Sequence, residues 1–185
     1  MLKPAVFLDR DGVLVKPVLC DGLPYAPLRW EDFAILPGVA EAVRSLREAG
    51  FLTIVITNQP EVRRGMLDAA LLAQFHQRLR DSMPLDEILA CCHDDRDNCE
   101  CRKPKPGMIL EAARRHQIDL ARSCLVGDTD RDLGAARAAG LPLVLVDASY
   151  NQELHPDYRV PNVLEAAALI RRLAGPRGAL RPVLS

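Results

Sequence analysis

Four short polar stretches of this sequence hold residue types that can do chemistry together. Asp9 and Asp11 stand two apart in Asp9-Arg10-Asp11-Gly12, and Thr57-Asn58-Gln59 sets a hydroxyl beside two amides. Arg102-Lys103-Pro104-Lys105 clusters cations, and Gly127 to Asp132 reads GDTDRD. Asp9 and Asp11 can leave an extended or turning segment on one side, and Asp128 can join them in a hard, all-oxygen site. Such a site suits Mg2+, which takes one or two carboxylates together with waters and substrate phosphate. The acids alone would repel a phosphate, whereas a divalent cation with Lys103 beside it reverses the local field. The chemistry that follows is phosphoryl transfer, in which positioning and charge neutralisation supply most of the rate. One carboxylate can attack phosphorus, and a second can protonate the leaving alkoxide and then deprotonate water. The Thr57 hydroxyl is available to the phosphoryl oxygens. Singly, each stretch reads as a polar turn or a helix cap; their joint occurrence carries the argument.

A second constellation lies just upstream of Lys103. Cys91-x-His93, five residues, then Cys99-x-Cys101 has the composition and spacing of a tetrahedral Zn2+ site. With four protein ligands and no open position it would be structural, stapling a loop that has few apolar residues of its own. Cys92 competes for the first ligand position, but a ligand pair at 92 and 93 is harder to close, so Cys91 is assigned. By pinning Cys101 the metal would set Arg102 and Lys103 over the phosphate site. Arg64 and Arg102 are candidate forks for a second, non-reacting phosphate, and Asn58 is a further candidate substrate contact. Cys20 and Cys124 read as ordinary thiols.

The elements that must position these residues alternate. Pro4–Leu8, Phe51–Ile56, Glu87–Cys91, Ser123–Val126 and Leu143–Val146 are short apolar runs that read as buried strands. Between them lie helical patterns: Val39 to Ala49 closed by Gly50, Leu71 to Leu79, Pro106 to about 116, Asp132–Ala139 closed by Gly140, and finally Val163–Leu173. Apolar strands alternating with helices imply an α/β, Rossmann-like three-layer fold around a parallel sheet of about five strands. Ligands in such folds bind beyond the carboxyl ends of the strands, and that is where all four polar stretches fall. Residues 13–36 leave room for a flap but not for a separate cap domain.

At 185 residues the chain suits one domain, expected over 1–174, with a loose tail over 175–185. A formal charge of −1 with interspersed signs argues against nucleic acid as a partner. No apolar run reaches membrane-spanning length, and the N-terminus does not read as a signal peptide. The expectation is a monomeric cytoplasmic enzyme acting on a small molecule, in a reducing compartment where clustered thiols are metal ligands.

In this order, FLDRDGVL, VITNQ, CRKPKPGM and VGDTDRD resemble the haloacid dehalogenase superfamily of phosphatases. Over residues 5–150 the chain is most similar to the branch that holds D-glycero-D-manno-heptose 1,7-bisphosphate phosphatases and the histidinol-phosphate phosphatase domain. The resemblance implies Asp9 as nucleophile, Asp11 as acid/base, Thr57 as the phosphate-binding hydroxyl and Lys103 as the third-motif cation. It implies Mg2+ held by Asp9, the Asp11 backbone carbonyl and Asp128, with Asp132 in support, and a zinc loop of the type described above. It also implies a sugar bisphosphate substrate hydrolysed at its primary C7 phosphate, with histidinol phosphate or another small phosphomonoester as the alternative. Where the heptose branch typically reads TNQSGIARG, this chain reads TNQPEVRRG.

Overall fold

The strand residues Ala5–Leu8 (β1), Leu52–Asn58 (β4), Cys124–Gly127 (β6) and Leu143–Val146 (β7) are apolar on both faces, so the sheet they form must be covered twice. The computed structural model, which describes residues 2–174, shows how. Alternate residues face opposite layers. Val6, Leu8, Val55, Val126 and Val144 pack with helices Val39–Glu48 (α1) and Val163–Ala174 (α6). Ala5, Phe7, Ile54, Ile56, Leu125 and Leu143 pack with Gly107–His116 (α4) and Asp130–Ala139 (α5). A third, smaller cluster gathers Leu67, Leu72 and Phe75 around helix Ala69–Ser82 (α3).

The sheet is wholly parallel and has six strands rather than about five, in the order β5-β4-β1-β6-β7-β8, with β5 at Glu87–Cys91 and β8 at Tyr158–Val160. The extra strand, β8, is three residues long at one edge and carries an exposed arginine, too short for a period to register. Strand β1 lies at the centre. The chain runs outward from it through β4 and β5, then returns to its other side for β6. Strand order therefore reverses beside β1, and the crevice that binds ligands in such sheets opens where β1, β4 and β6 end.

Helix α5 begins at Asp130, two residues before the expected start, because Thr129 and Asp132 close a capping box across its first turn. The flap between β1 and α1 is a hairpin, Val18–Cys20 (β2) against Leu23–Tyr25 (β3). Its two-residue turn is Asp21-Gly22, both at positive φ (50° and 78°), the turn whose twist matches the strands. A four-residue helix, Pro60–Arg63 (α2), follows β4 directly; Pro60 suits its first turn. The tail expected over 175–185 lies outside the described residues. No helix among the described residues is long and apolar enough to cross a membrane.

Candidate active site

Each parallel strand releases its next residue at the same edge of the sheet. Asp9 follows β1 directly and its backbone N–H donates to the Val126 carbonyl at 2.9 Å, which fixes the turn-out point. Asp128 follows β6, and Asp132 lies one turn along α5. Carboxylate oxygens of Asp9, Asp128 and Asp132 lie within 4.8 Å of one another, all in buried residues. Lys103 is the cation among them. Its Nζ is 2.8 Å from Asp9 Oδ1, donates to Asp132 Oδ1 at 2.7 Å, and donates to the Ile56 carbonyl at 3.1 Å.

Three acids around one ammonium leave the cluster short of positive charge. Burial, reinforced by Asp132, pushes Asp9 up to about 7, although Lys103 pulls the other way. Burial, with Asp9 and Asp132 adding to it, raises Asp128 well above the carboxylate range. Burial alone would lower Lys103, but Asp132 and Asp9 outweigh it and hold the ammonium protonated. Asp132 is fully committed: besides Lys103, it accepts from Thr129 Oγ1 at 2.6 Å and from Thr129 N at 3.0 Å. Asp128 is not. Its Oδ2 accepts from the Tyr150 hydroxyl at 2.5 Å, while its buried Oδ1 has no hydrogen-bond partner among the described residues. An orphaned, buried carboxylate oxygen beside a second acid is a hard-oxygen donor set that fits Mg2+. Gly12 permits this approach. Its φ is +93°, and a Cβ there would fall 1.9 Å from Asp128 Oδ2.

Asp11 is held apart from this cluster by residues that sequence reasoning passed over. The Arg10 guanidinium, fully buried, forks onto Asp11 through Nε (3.1 Å to each oxygen) and Nη2 (2.9 Å). Gln59 Nε2 donates to Asp11 Oδ2 at 2.8 Å and to Thr57 Oγ1 at 2.9 Å, while Gln59 Oε1 accepts from Arg10 Nη2 at 2.8 Å. Behind Arg10 lie His76, with Nε2 3.5 Å from Nη1, and the Phe75 ring, 6.0 Å from the guanidinium carbon. Burial, then Arg10 and Arg80, lowers His76 to about 4. The signal available was position: Arg10 and Gln59 sit inside the very motifs that supply Asp11 and Thr57.

Asn58 lines the site, but its amide group is engaged with the backbone. Its amide donates to the Lys103 carbonyl and its oxygen accepts from the Lys103 N–H, each at 3.0 Å, clamping the Lys103 loop to the end of β4. Arg64 and Arg102 line the same open pocket of about 440 Å³ as Asp9, Asp11, Thr57 and Lys103. Both are already engaged, Arg64 Nε with Asp94 Oδ2 and Arg102 Nε with Asp95 Oδ1 at 2.7 Å. Glu61, the departure after TNQ, also lines this pocket, and one of its oxygens is buried without a partner among the described residues. A larger cleft of about 1010 Å³ shares only Tyr150 with this pocket and lacks its acids and lysine.

The structure also gathers Cys91, His93, Cys99 and Cys101, with ligand atoms within 4.8 Å of one another. Sγ–Sγ separations are 3.2 Å (Cys91–Cys101), 3.5 Å (Cys99–Cys101) and 3.6 Å (Cys91–Cys99); His93 Nδ1 is 3.3 Å from Cys101 Sγ and 3.6 Å from Cys91 Sγ. These approach the edges of a tetrahedron with Zn–S bonds of about 2.3 Å, and the thiols form no disulfide. Cys92 turns the other way and packs against the Leu67–Leu72–Phe75 cluster, as the alternation of a strand end requires.

Comparison with known proteins agrees with this geometry. A family model described as haloacid dehalogenase-like hydrolase matches residues 24–140, a stretch holding Thr57, Lys103 and Asp128 and beginning after Asp9. The D-glycero-beta-D-manno-heptose-1,7-bisphosphate 7-phosphatase of Rhodopseudomonas palustris is 38% identical over 152 residues, covering 76% of this chain and 81% of the relative. The D-glycero-D-manno-heptose-1,7-bisphosphate 7-phosphatase of Thermosynechococcus vestitus is 34% identical over 96% of this chain and 100% of its own length. Among solved structures, the D,D-heptose 1,7-bisphosphate phosphatase from B. bronchiseptica complexed with magnesium and phosphate superposes with a TM-score of 0.80 at 30% identity, covering 91% of this chain and 98% of that one. With its acids, lysine and hydroxyl at the reversal point of a parallel sheet, the chain belongs to the haloacid dehalogenase-like hydrolases.

Proposed function

We propose that this chain is a Mg2+-dependent phosphatase that removes the C7 phosphate of D-glycero-D-manno-heptose 1,7-bisphosphate through an aspartyl-phosphate on Asp9. The observation that carries the reading is the meeting of Asp9 and Asp128 at the ends of adjacent strands with Lys103 from the loop after β5, one Asp128 oxygen being buried without a partner among the described residues. The substrate comes from the printed names of relatives that match most of the chain. Asp9, Asp128 and the Asp11 carbonyl would hold Mg2+, whose chemistry is to neutralise the phosphoryl oxygens as charge redistributes. Lys103, salt-bridged to Asp9, favours the ionised nucleophile against the burial that opposes it and adds a second positive charge facing the phosphoryl group. Asp9 attacks phosphorus while Asp11 gives a proton to the departing C7 alkoxide. Asp11 then takes a proton from the water that hydrolyses the aspartyl-phosphate, releasing phosphate and restoring Asp9. Thr57, itself hydrogen-bonded by Gln59, orients the phosphoryl oxygens. Arg64 and Arg102 face the phosphate that does not react.

In this reading Zn2+ on Cys91, His93, Cys99 and Cys101 is structural, the hydrolase unit spans residues 1–174, and the enzyme works as a monomer in the cytoplasm. The compact Cys-x-His, five, Cys-x-Cys spacing is shared with the histidinol-phosphate branch, which makes histidinol phosphate the competing substrate. The deciding measurement is phosphate release with Mg2+ from the heptose bisphosphate, a sugar monophosphate and histidinol phosphate. The bisphosphate is expected to give the highest kcat/KM; a strong preference for histidinol phosphate would reassign the substrate.

A further inference from the structure

The acids between the two zinc-ligand pairs are not needed to bind a metal, yet they are all occupied. Asp94, Asp95 and Asp97 meet arginines from two other elements and from their own loop: Arg64 on Asp94, Arg102 and Arg131 on Asp95, and Arg63 on Asp97 at 3.5 Å. Asp95 is the point of convergence. Arg102 Nε reaches it at 2.7 Å from the loop after β5, Arg131 Nη1 at 3.3 Å from the first turn of α5, and Arg64 Nη2 at 3.9 Å from the end of α2. The same three guanidiniums line the active-site pocket with Asp9 and Lys103. Exposure separates the partners: the Arg102 side chain is 9% exposed, that of Asp95 58%. The cation is built into the wall, and the carboxylate reaches it from outside on a short loop. A guanidinium fork donates to carboxylate and phosphate oxygens in the same geometry.

We propose that Asp95 is a specificity-determining residue that occupies the anion position formed by Arg64, Arg102 and Arg131 and gives it up only to a substrate carrying a second, non-reacting phosphate. Resting on the bisphosphate reading above, this makes Asp95 an internal competitor and adds Arg131 to the groups that bind that phosphate. A substrate with one phosphate leaves the Asp95 contacts in place. A bisphosphate must displace Asp95, whose largely exposed carboxylate can return to water at little cost, and then takes three cations at once.

The test compares wild type with Asp95→Asn, which keeps the size of the side chain, on the heptose bisphosphate and on p-nitrophenyl phosphate. The variant is expected to raise the ratio of bisphosphate to monoester kcat/KM by about threefold, through a lower bisphosphate KM, as loss of an exposed ion pair allows. Arg131→Ala should lower the same ratio. Zinc content, measured on each variant, is expected to be unchanged. A bisphosphate KM that rises or stays put in Asp95→Asn would overturn the proposal, because Asp95 would then only brace Arg102. Should wild type hydrolyse p-nitrophenyl phosphate but not the bisphosphate, the substrate reading fails on its own. Sulfate titration followed by thermal unfolding still decides the subsite, with stronger stabilisation of Asp95→Asn expected and equal or weaker stabilisation refuting it.

Discussion

Residue types set the chemistry at the smallest scale, and the structure shows why the lysine belongs with the acids. Asp9 is buried and pushed up to about 7 even with Lys103 beside it, so the cluster is poised to accept more positive charge. A neutral isostere therefore suits the fold, and Asp9→Asn should keep the thermal midpoint within a few degrees while lowering kcat by roughly ten-thousandfold, the scale of losing a covalent nucleophile. Ordinary turnover by that variant, read by phosphate release, would remove Asp9 from the nucleophile's place. The carboxylates and Lys103 were legible in the sequence because their types and spacing are rare together. Tyr150 and Asn151 were not. Tyr150 donates to Asp128 Oδ2, and Asn151 donates to the Asp128 carbonyl at 2.8 Å and the Val146 carbonyl at 2.9 Å. Both reach Asp128 across a loop, and no local spacing marks them.

At the scale of elements, two devices aim the side chains. Gly12 lets the chain after β1 pass against Asp128, in a left-handed conformation and with no room for a Cβ. Gly12→Ala should lower the thermal midpoint by about 2–8 °C from the backbone strain alone, and weaken the Mg2+ dependence of kcat/KM; a variant with unchanged Mg2+ titration would show that the approach is not needed. The other device is the cysteine loop. It carries Arg102 and Lys103 directly after Cys101, and its own backbone has only a three-residue turn, Asp95–Asp97, to order it. In the proposed reading a bound zinc would complete what the ion pairs of Asp94, Asp95 and Asp97 and the Asn58 clamp begin. Cys99→Ser is expected to lose zinc, by metal analysis, and to lose kcat/KM in step; full activity in zinc-free protein would separate the loop from catalysis. The cysteine loop was legible as a ligand pattern. The flap's hairpin was read only as an insertion, although Asp21-Gly22 is a turn signal.

For the molecule as a whole, one buried group ties the site to stability. His76 is 9% exposed and faces Arg10 from α3, with Arg80 one turn further along the same helix. The unfolded chain takes up its proton from about 6.5 downward, whereas the folded chain waits until about 4. Between those values the unfolded state holds more protons, so stability is full above 6.5 and falls as pH drops towards 4. His76→Gln removes this dependence. The stability difference between wild type and variant should shift by up to about 3 kcal/mol across that window, measured by denaturant unfolding at several pH values; parallel curves would mean that His76 takes up its proton at the same pH in the folded and unfolded chains. The same network runs from His76 through Arg10 and Gln59 to Asp11 and Thr57, so the core on the α3 side supports Asp11, the proposed acid/base.

Local physics by itself determined the alternation of apolar strands and helices, the edge at which polar residues emerge, and the composition of the two candidate ligand clusters. Each of these depends on residues within a turn or strand of one another, or on the rule that parallel strands end on one side. Only the tertiary structure decided how the loops are wired: that Asp95 meets Arg131, that Gln59 reaches Asp11, and that Asn58 clamps the Lys103 backbone. Those contacts join segments far apart in sequence, and charges choose partners by distance in space, which no spacing along the chain records.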